Sequence, residues 1–204
     1  MGDAADGVLS VNSLQDFSVF HARLAGADSS QNRSKHIVVM GAGLIGCEFA
    51  NDLAGAGYRV SVVDPAKRPL AALLPAQAGE QLQGALADLG VTWHFGCTVR
   101  AVDQNPDKSG PALRVSLSNE VQVLADTVLS AIGLRADMAL AQAAGLACER
   151  GIVVDTALQT SAAHIYALGD GAQYASAGGR TLPFVMPIMS AAKALAATLA
   201  GQRT

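Results

Sequence analysis

The chain has 204 residues, of which 50% are hydrophobic and 15% charged, with a net charge of −3 and a pI near 5.7. That length allows one large domain or two small ones with a sizeable core. The acidic balance without a basic tract argues against nucleic acid as a partner, and no apolar run is long enough to predict a membrane span or a secretory signal.

The first half of the chain predicts alternating strands and helices. We expect a loop at Met1–Ser10, a short helix opened by the capping box Ser13-Leu14-Gln15-Asp16 and ending near Gly26, and a linker at Ala27–Lys35. The predicted strands are Ile37–Met40, Tyr58–Val63 and Val91–Phe95; the predicted helices are Leu44–Ala54, stopped by Gly57, and a segment opened by Pro75 and closed by Gly90. This order predicts a parallel βαβαβ sheet.

The pattern then changes to short strands separated by turn residues. These strands are Val99–Val102, Leu113–Leu117, Val121–Ala125 and Val128–Ala131, which together predict an antiparallel meander. Further predicted elements are a helix at Leu140–Ala144, strands at Ile152–Val154 and Ile165–Leu168, and an alanine-rich helix within Leu182–Ala200 that begins after Pro187. The predicted fold class is α/β, a Rossmann-type parallel sheet with an antiparallel meander.

The stretch Gly41-Ala42-Gly43-Leu44-Ile45-Gly46 has the spacing G-x-G-x-x-G between a predicted strand and a predicted helix. Gly41 allows the tight turn, Gly43 lets a pyrophosphate approach the backbone, and Gly46 lets the helix pack on the strand. The phosphates then lie on the N–H groups that begin the helix, around Leu44 and Ile45. The alternative is a structural turn without a ligand.

Asp64 ends the second predicted strand, where a carboxylate accepts hydrogen bonds from the ribose of NAD. The alternative is a turn residue before Pro65. Lys67 and Arg68 could attract the 2′-phosphate of NADP or could be solvated turn charges. Because the carboxylate of Asp64 occupies the position that contacts the ribose, it would repel a 2′-phosphate. NAD(H) is therefore favoured and NADP is less expected.

The isolated cysteines and scattered histidines predict no metal site. Cys47, Cys97 and Cys148 show no C-x-x-C spacing, which is typical of a reducing compartment, so we expect a cytoplasmic location. No Ser/His/Asp arrangement is recognisable, and no catalytic residue is predicted. A simple nicotinamide dehydrogenase with a Tyr-x-x-x-Lys pair is disfavoured, because none of the tyrosines has a lysine four residues on.

Residues 41–64, GAGLIGCEFANDLAGAGYRVSVVD, resemble the NAD(H)-binding domain of the pyridine nucleotide–disulfide oxidoreductase superfamily, most closely its rubredoxin–NAD(+) reductase branch. Three further stretches follow in family order. Residues 129–135 resemble the segment that returns to the FAD domain, with Ala136-Asp137 in place of Pro-Asn; residues 160–170 resemble the second FAD fingerprint, and residues 182–187 the segment beside the flavin. The resemblance covers nearly all of the chain.

This resemblance implies several further cofactor-binding residues. Asp170 would bond the ribitol or pyrophosphate region of FAD, Gly169 would permit close approach, and Val185 would lie near the isoalloxazine. Glu48 would orient the nicotinamide, and Ile132 and Gly133 belong to the return segment. The alternatives are a carboxylate at a helix terminus for Glu48 and a loop turn for Asp170.

The chain contains one glycine fingerprint, whereas family members carry a second one before it. The resemblance therefore implies an internal fragment: residues 1–34 as a partial FAD-domain and linker segment, 35–145 as the NAD(H)-binding domain, and 146–204 as the second part of an FAD-binding domain. The predicted function is the NADH-binding portion of an FAD-dependent oxidoreductase that passes electrons to rubredoxin or a similar iron protein. The fragment is expected to be inactive alone. The alternatives are an isolated NAD(H)-binding module or an inactive fragment, and the oligomeric state is left open.

Overall fold

A computed structural model describes residues 2–25, 34–107 and 109–202. The chain divides into two compact units, Met1–Leu134 and Arg135–Thr204. Most of the predicted linker Ala27–Lys35, and the predicted helix end near Gly26, lie outside the described residues. The assignment of residues 1–34, 35–145 and 146–204 to NAD and FAD domains stays a prediction. Among the described helices, none has the length and apolarity that crossing a bilayer requires.

The first unit contains most of the regular structure. Its strands are β1 (Leu9–Ser10), β2 (His36–Met40), β3 (Arg59–Asp64), β4 (Thr92–Phe95), β5 (Val99–Gln104), β6 (Leu113–Leu117), β7 (Gln122–Ala125) and β8 (Thr127–Ser130). Its helices are α1 (Leu14–Ala25), α2 (Leu44–Gly55) and α3 (Ala76–Asp88), and a single 3-10 turn lies at Ala5–Gly7 within this described part.

Within the described residues, this unit has a parallel sheet in the order β1-β8-β2-β3-β4 and an antiparallel sheet in the order β5-β6-β7. The predicted α/β class with a parallel sheet and a meander is confirmed. Two details of the prediction are wrong. The strand predicted at Val128–Ala131 leaves the meander and pairs in parallel with β2, and the predicted loop Met1–Ser10 contributes β1 to the sheet edge.

The helix boundaries follow local signals that the sequence carries. Ser13 Oγ accepts the N–H of Asp16 at 3.1 Å, and Asp16 Oδ2 accepts the N–H of Asn12 at 3.0 Å, so α1 begins at a reciprocal cap. Pro75 immediately precedes α3. Gly57 and Gly90, with φ of +86° and +94°, adopt the left-handed backbone that ends the helices before them.

Successive side chains of the parallel strands point to opposite faces of the sheet, and each face packs into a separate hydrophobic core. Ile37 and Val39 face one way and pack with the apolar faces of α1, α2 and α3. Val38, between them, faces the other way and packs with Val115 and its neighbours in the meander. Because both faces are covered, β2 reads as a continuous apolar run, as parallel strands commonly do.

The second unit is built around a smaller sheet. Its described elements are β9 (Ile152–Val154), β10 (Ala172–Tyr174), β11 (Arg180–Thr181), α4 (Ala139–Ala143), α5 (Val185–Leu199) and a 3-10 turn at Ala175–Ala177. β10 pairs in parallel with β9 and antiparallel with β11, and the core contains Val154, Leu158 and Leu195.

Two predictions in this unit are wrong. Ile165–Leu168 is not a strand, because Tyr166 makes only an isolated bridge to Gln159. The last helix begins at Val185, before Pro187 and not after it. A proline is tolerated there because N–H groups in the first turn of a helix have no intrahelical partner.

Candidate dinucleotide-binding site

The carboxyl ends of β2, β3 and β8 meet at one edge of the parallel sheet. The Gly41 N–H donates to the Val63 carbonyl at 2.8 Å, and the Ala131 N–H donates to the Met40 carbonyl at 2.7 Å. The chain leaves β2 toward β3 on one side and returns as β8 on the other, so this edge is the topological switch point of the sheet. Ligands of open α/β sheets bind at such points.

The three glycines of the fingerprint meet three different surroundings. Gly41 has φ of +103°, and a Cβ added to it would lie 2.5 Å from the Ala131 carbonyl oxygen. A Cβ added to Gly46 would overlap the carbonyl oxygen of Gly41. Gly43 differs from both: it is exposed, and within the described residues a Cβ added there would meet no atom within 4 Å. The fold therefore requires two of the glycines, whereas the third opens a space beside the backbone.

That space lies at the start of α2. Gly43 is the residue before the helix and has no side chain that could cap it, and Leu44 is exposed. The first N–H groups of a helix have no intrahelical partner and carry the positive end of its dipole. The arrangement can bind an anion such as a diphosphate on the backbone around Gly43, Leu44 and Ile45.

Asp64 connects the end of β3 to the glycine loop. Its Oδ2 accepts the N–H of Ala42 at 2.6 Å, and its Oδ1 accepts the N–H of Ala66 at 2.7 Å. The bond from the Ala66 N–H closes a turn around Pro65, which is the role that the alternative interpretation of Asp64 predicted. Each carboxylate oxygen has two acceptor positions, so these bonds leave acceptor capacity for ribose hydroxyls. The turn role and the ribose role are therefore compatible.

Other predicted residues lie around this loop. Ile132 and Gly133 follow β8 after Ala131. The Ile132 backbone nitrogen would lie 3.3 Å from a Cβ added to Gly41, and the Ile132 side chain is exposed. Glu48 lies on the exposed face of α2. Cys47, the residue before it, is buried, and burial together with Asp64 and Glu48 raises the pKa of its thiol to about 11. The thiol is therefore protonated at neutral pH, and its Sγ donates to the Ala42 carbonyl at 3.5 Å.

The cations beyond Asp64 differ in their environment. Lys67 is exposed. Arg68 donates from Nη2 to the Ala71 carbonyl at 3.3 Å, while its Nη1 is buried and has no hydrogen-bond partner within the described part of the chain. A Cβ added to Gly79 in α3 would lie 2.9 Å from that Nη1. The guanidinium thus packs against the protein, and Lys67 is the more accessible charge.

In the second unit, Gly169 and Asp170 form a turn before β10. Gly169 is buried with φ of +87°, and its N–H donates to the Tyr174 hydroxyl at 2.9 Å. The Asp170 side chain is exposed, and Val185, the first residue of α5, is 73% exposed. Their predicted contacts with FAD stay predictions.

Two residues with a part in these arrangements were not singled out by sequence reasoning. Tyr174 is buried and fixes the turn at Gly169, and its position shortly after the Gly-Asp pair is a signal that could have been used. Leu70 donates its N–H to the Ala42 carbonyl at 2.8 Å and has φ of +50°. No sequence signal indicates this, because a left-handed leucine is rare.

Comparison with known proteins finds a family match and several similar chains. The family described as pyridine nucleotide-disulphide oxidoreductase matches residues 4–197. A rubredoxin-NAD(+) reductase of Alcanivorax borkumensis is 48% identical over 203 residues, which are 100% of this chain and 50% of that protein. A nitric oxide reductase FlRd-NAD(+) reductase of Aeromonas salmonicida is 46% identical over 200 residues, 98% of this chain and 48% of that protein.

A solved structure has the same fold over the whole of this chain. The crystal structure of a ferredoxin reductase from Rhodopseudomonas palustris superposes with a TM-score of 0.86 at 29% identity, over 100% of this chain and 49% of that one. The chain thus spans about half the length of the curated relatives it matches. Since the family match covers nearly all of the sequence, the chain belongs to the pyridine nucleotide-disulphide oxidoreductase family.

Proposed function

We propose that this chain is the NADH-binding portion of an FAD-dependent oxidoreductase that passes electrons from NADH through flavin to rubredoxin or a similar iron protein. The observation that carries the proposal is the open start of α2 at Gly43, beside the Asp64 carboxylate. Membership of an oxidoreductase family supports it, as do relatives named for NAD(+) and rubredoxin.

The glycine loop fits the diphosphate of NADH. A side chain at position 43 would extend into the open space beside the backbone, and the N–H groups at the start of α2 point their dipole at an anion placed there. Asp64 offers acceptors to the adenosine ribose, and Glu48 on α2 is proposed to orient the nicotinamide. When bound, the nicotinamide would supply a hydride, and the flavin would pass its two electrons on one at a time and release the proton to solvent. The residues of this chain would bind and orient the two cofactors.

Two observations favour NADH over NADPH. The Asp64 carboxylate would repel a 2′-phosphate placed at the ribose that it binds. Arg68, which could attract such a phosphate, already donates to the Ala71 carbonyl and is packed beside Gly79. Lys67 alone would attract a 2′-phosphate only weakly, because an ion pair made by an exposed ammonium contributes little binding free energy.

The second unit supplies the proposed contacts with flavin. The buried Tyr174 hydroxyl fixes the backbone of Gly169, so the Asp170 carboxylate that follows is presented to solvent from a defined turn. A carboxylate there can accept hydrogen bonds from the ribitol or ribose hydroxyls of FAD. The exposed apolar side chain of Val185 is suited to lie against a ring system, which the resemblance identifies as the isoalloxazine.

The proposed acceptor is an iron protein because the relatives are named for rubredoxin and, in the solved structure, as a ferredoxin reductase. The isolated cysteines Cys47, Cys97 and Cys148 are not joined in disulfides, which suits a reducing cytoplasm. A second candidate is an NAD(H)-binding module without flavin. The observation that favours it is that the glycine loop and Asp64 both lie within the first compact unit, Met1–Leu134.

Spectroscopy separates these candidates when the chain is joined to the segment of a relative that carries the second glycine fingerprint. The reductase predicts that this longer protein retains FAD through gel filtration, that its flavin absorbance bands bleach on addition of NADH, and that a rubredoxin is then reduced. The module predicts saturable NADH binding without retained flavin. A protein that bound neither NADH nor FAD would contradict both candidates.

A matched pair of variants tests the flavin contact. Asp170→Ala is expected to lower the fraction of FAD retained, because it removes the proposed acceptor. Asp155→Ala is the control, since Asp155 is also an exposed carboxylate of the second unit and accepts the Ala157 N–H at 2.8 Å, outside residues 160–170. Equal retention of FAD by the two variants would count against the role of Asp170.

A further inference from the structure

The peptide between Ala42 and Gly43 lies at the centre of the glycine loop, and hydrogen bonds from the protein interior fix its carbonyl group. Its carbonyl, from Ala42, accepts the Leu70 N–H at 2.8 Å and the Cys47 thiol at 3.5 Å. The Ala42 N–H, in the peptide before it, donates to Asp64 at 2.6 Å. Ala42 is itself buried, so the fold fixes the orientation of this residue from both ends.

The geometry of a trans peptide carries this orientation to the next residue. The carbonyl of Ala42 and the N–H of Gly43 belong to one planar unit and point in opposite directions. Since the carbonyl points inward to Leu70, the Gly43 N–H points outward, on the side where Gly43 is exposed. Holding the carbonyl therefore aims a donor at the space proposed for the diphosphate.

Leu70 holds this contact in an unusual conformation. Its φ of +50° lies in the left-handed region, which branched and bulky residues rarely adopt. Its side chain is buried with the core under the helices, and its carbonyl accepts the N–H groups of Leu73 and Leu74 at 2.9 Å. Such conformations persist where the surroundings determine them, and they cluster at functional sites.

We propose that Leu70 is a positioning residue for the cofactor diphosphate: its left-handed backbone directs its N–H to the Ala42 carbonyl and so turns the Gly43 N–H outward. This inference rests on the proposed NADH site. It concerns the backbone of Leu70 and assigns the side chain the separate task of filling the core.

Two substitutions at this position separate backbone from side chain. Leu70→Val keeps most of the apolar volume, but a β-branched residue resists the left-handed region. Leu70→Gly loses the buried side chain but adopts that region readily. Leu70→Gly is therefore expected to have the lower melting temperature and to bind NADH within about threefold of the wild type, whereas Leu70→Val is expected to raise Kd about fivefold or more.

Leu74→Val is the matched control. Leu74 lies in the same segment, packs on the same core and is not among the residues with positive φ. The same loss of a methylene group there is expected to leave the Kd for NADH unchanged. All variants are made in the whole chain, with Kd measured by calorimetry and stability by thermal unfolding.

The outcomes are distinct. Weaker NADH binding by Leu70→Gly than by Leu70→Val, or wild-type affinity in both, would overturn the positioning role. Wild-type protein that does not bind NADH would overturn the proposed function and this inference with it. Hydrogen exchange without NADH gives an independent check: the Leu70 amide is expected to be protected in the wild type and in Leu70→Gly, and rapid exchange in the wild type would overturn the contact.

Discussion

Replacing Gly43 with serine should stabilise the protein while impairing cofactor binding. Gly43 has φ of −77° and ψ of −171°, which any residue can adopt, and among the described residues an added Cβ meets nothing within 4 Å. A serine before α2 could cap the helix, and it would also restrict the unfolded chain. Together these effects are expected to raise the free energy of unfolding by about 0.5–1.5 kcal/mol.

The same side chain would occupy the space beside the backbone that the diphosphate needs. We expect the Kd for NADH to rise at least tenfold, which corresponds to about 1.4 kcal/mol of lost binding free energy. Urea denaturation measures the first effect and calorimetric titration with NADH the second. A Gly43→Ser protein that binds NADH as the wild type does would refute the placement of the diphosphate.

Two other glycines of α2 provide controls. Gly55, at the end of the helix, also has open space around an added Cβ, so Gly55→Ser is expected to leave NADH binding unchanged. A Cβ on Gly46 would overlap the Gly41 carbonyl, so Gly46→Ser is expected to destabilise the fold by about 1–3 kcal/mol or more. If Gly43→Ser lost as much stability as Gly46→Ser, the contrast between the glycines would be incorrect.

Three further predictions concern neighbouring groups. Asp64→Ala should weaken NADH binding by roughly 1–2 kcal/mol through lost hydrogen bonds, and an unchanged Kd in calorimetry would contradict the ribose contact. Cys47, buried and with its pKa raised to about 11, should react with iodoacetamide more slowly than the partly exposed Cys148 at pH 8, as mass spectrometry would show; faster alkylation of Cys47 would contradict its burial. Burial, with a contribution from Arg59, lowers the pKa of His36 below 6.5, so below that pH the unfolded chain binds more protons and the free energy of unfolding should fall as pH drops from about 7 to 5. His36→Gln should flatten this decline in urea denaturation, and an unchanged slope would contradict the assignment.

The sequence predicted the parts of the fold where local chemistry and burial agree. Helix caps and helix-ending glycines act on residues next to them in the chain, so the sequence alone reveals them. Examples are the cap formed by Ser13 and Asp16, and the glycines Gly57 and Gly90. The G-x-G-x-x-G spacing likewise specified a turn whose first and third glycines the fold demands.

The errors arose where pairing over a distance decides the structure. The strand at Val128–Ala131 has the same apolar pattern whether it extends the meander or returns to the parallel sheet, and only the register with β2 distinguishes the two. Leu9–Ser10 is too short to be recognised without its partner β8. Leu70 could not be identified either, because its role depends on backbone conformation and on a contact with Ala42 that residue type does not reveal.

A crystal of this chain soaked with NADH tests the central claim most directly. The account predicts electron density for a diphosphate within hydrogen-bond distance of the N–H groups at Gly43, Leu44 and Ile45, with a ribose hydroxyl on the Asp64 carboxylate. Density for NADH elsewhere on the chain, or side chains filling the space beside Gly43, would contradict it.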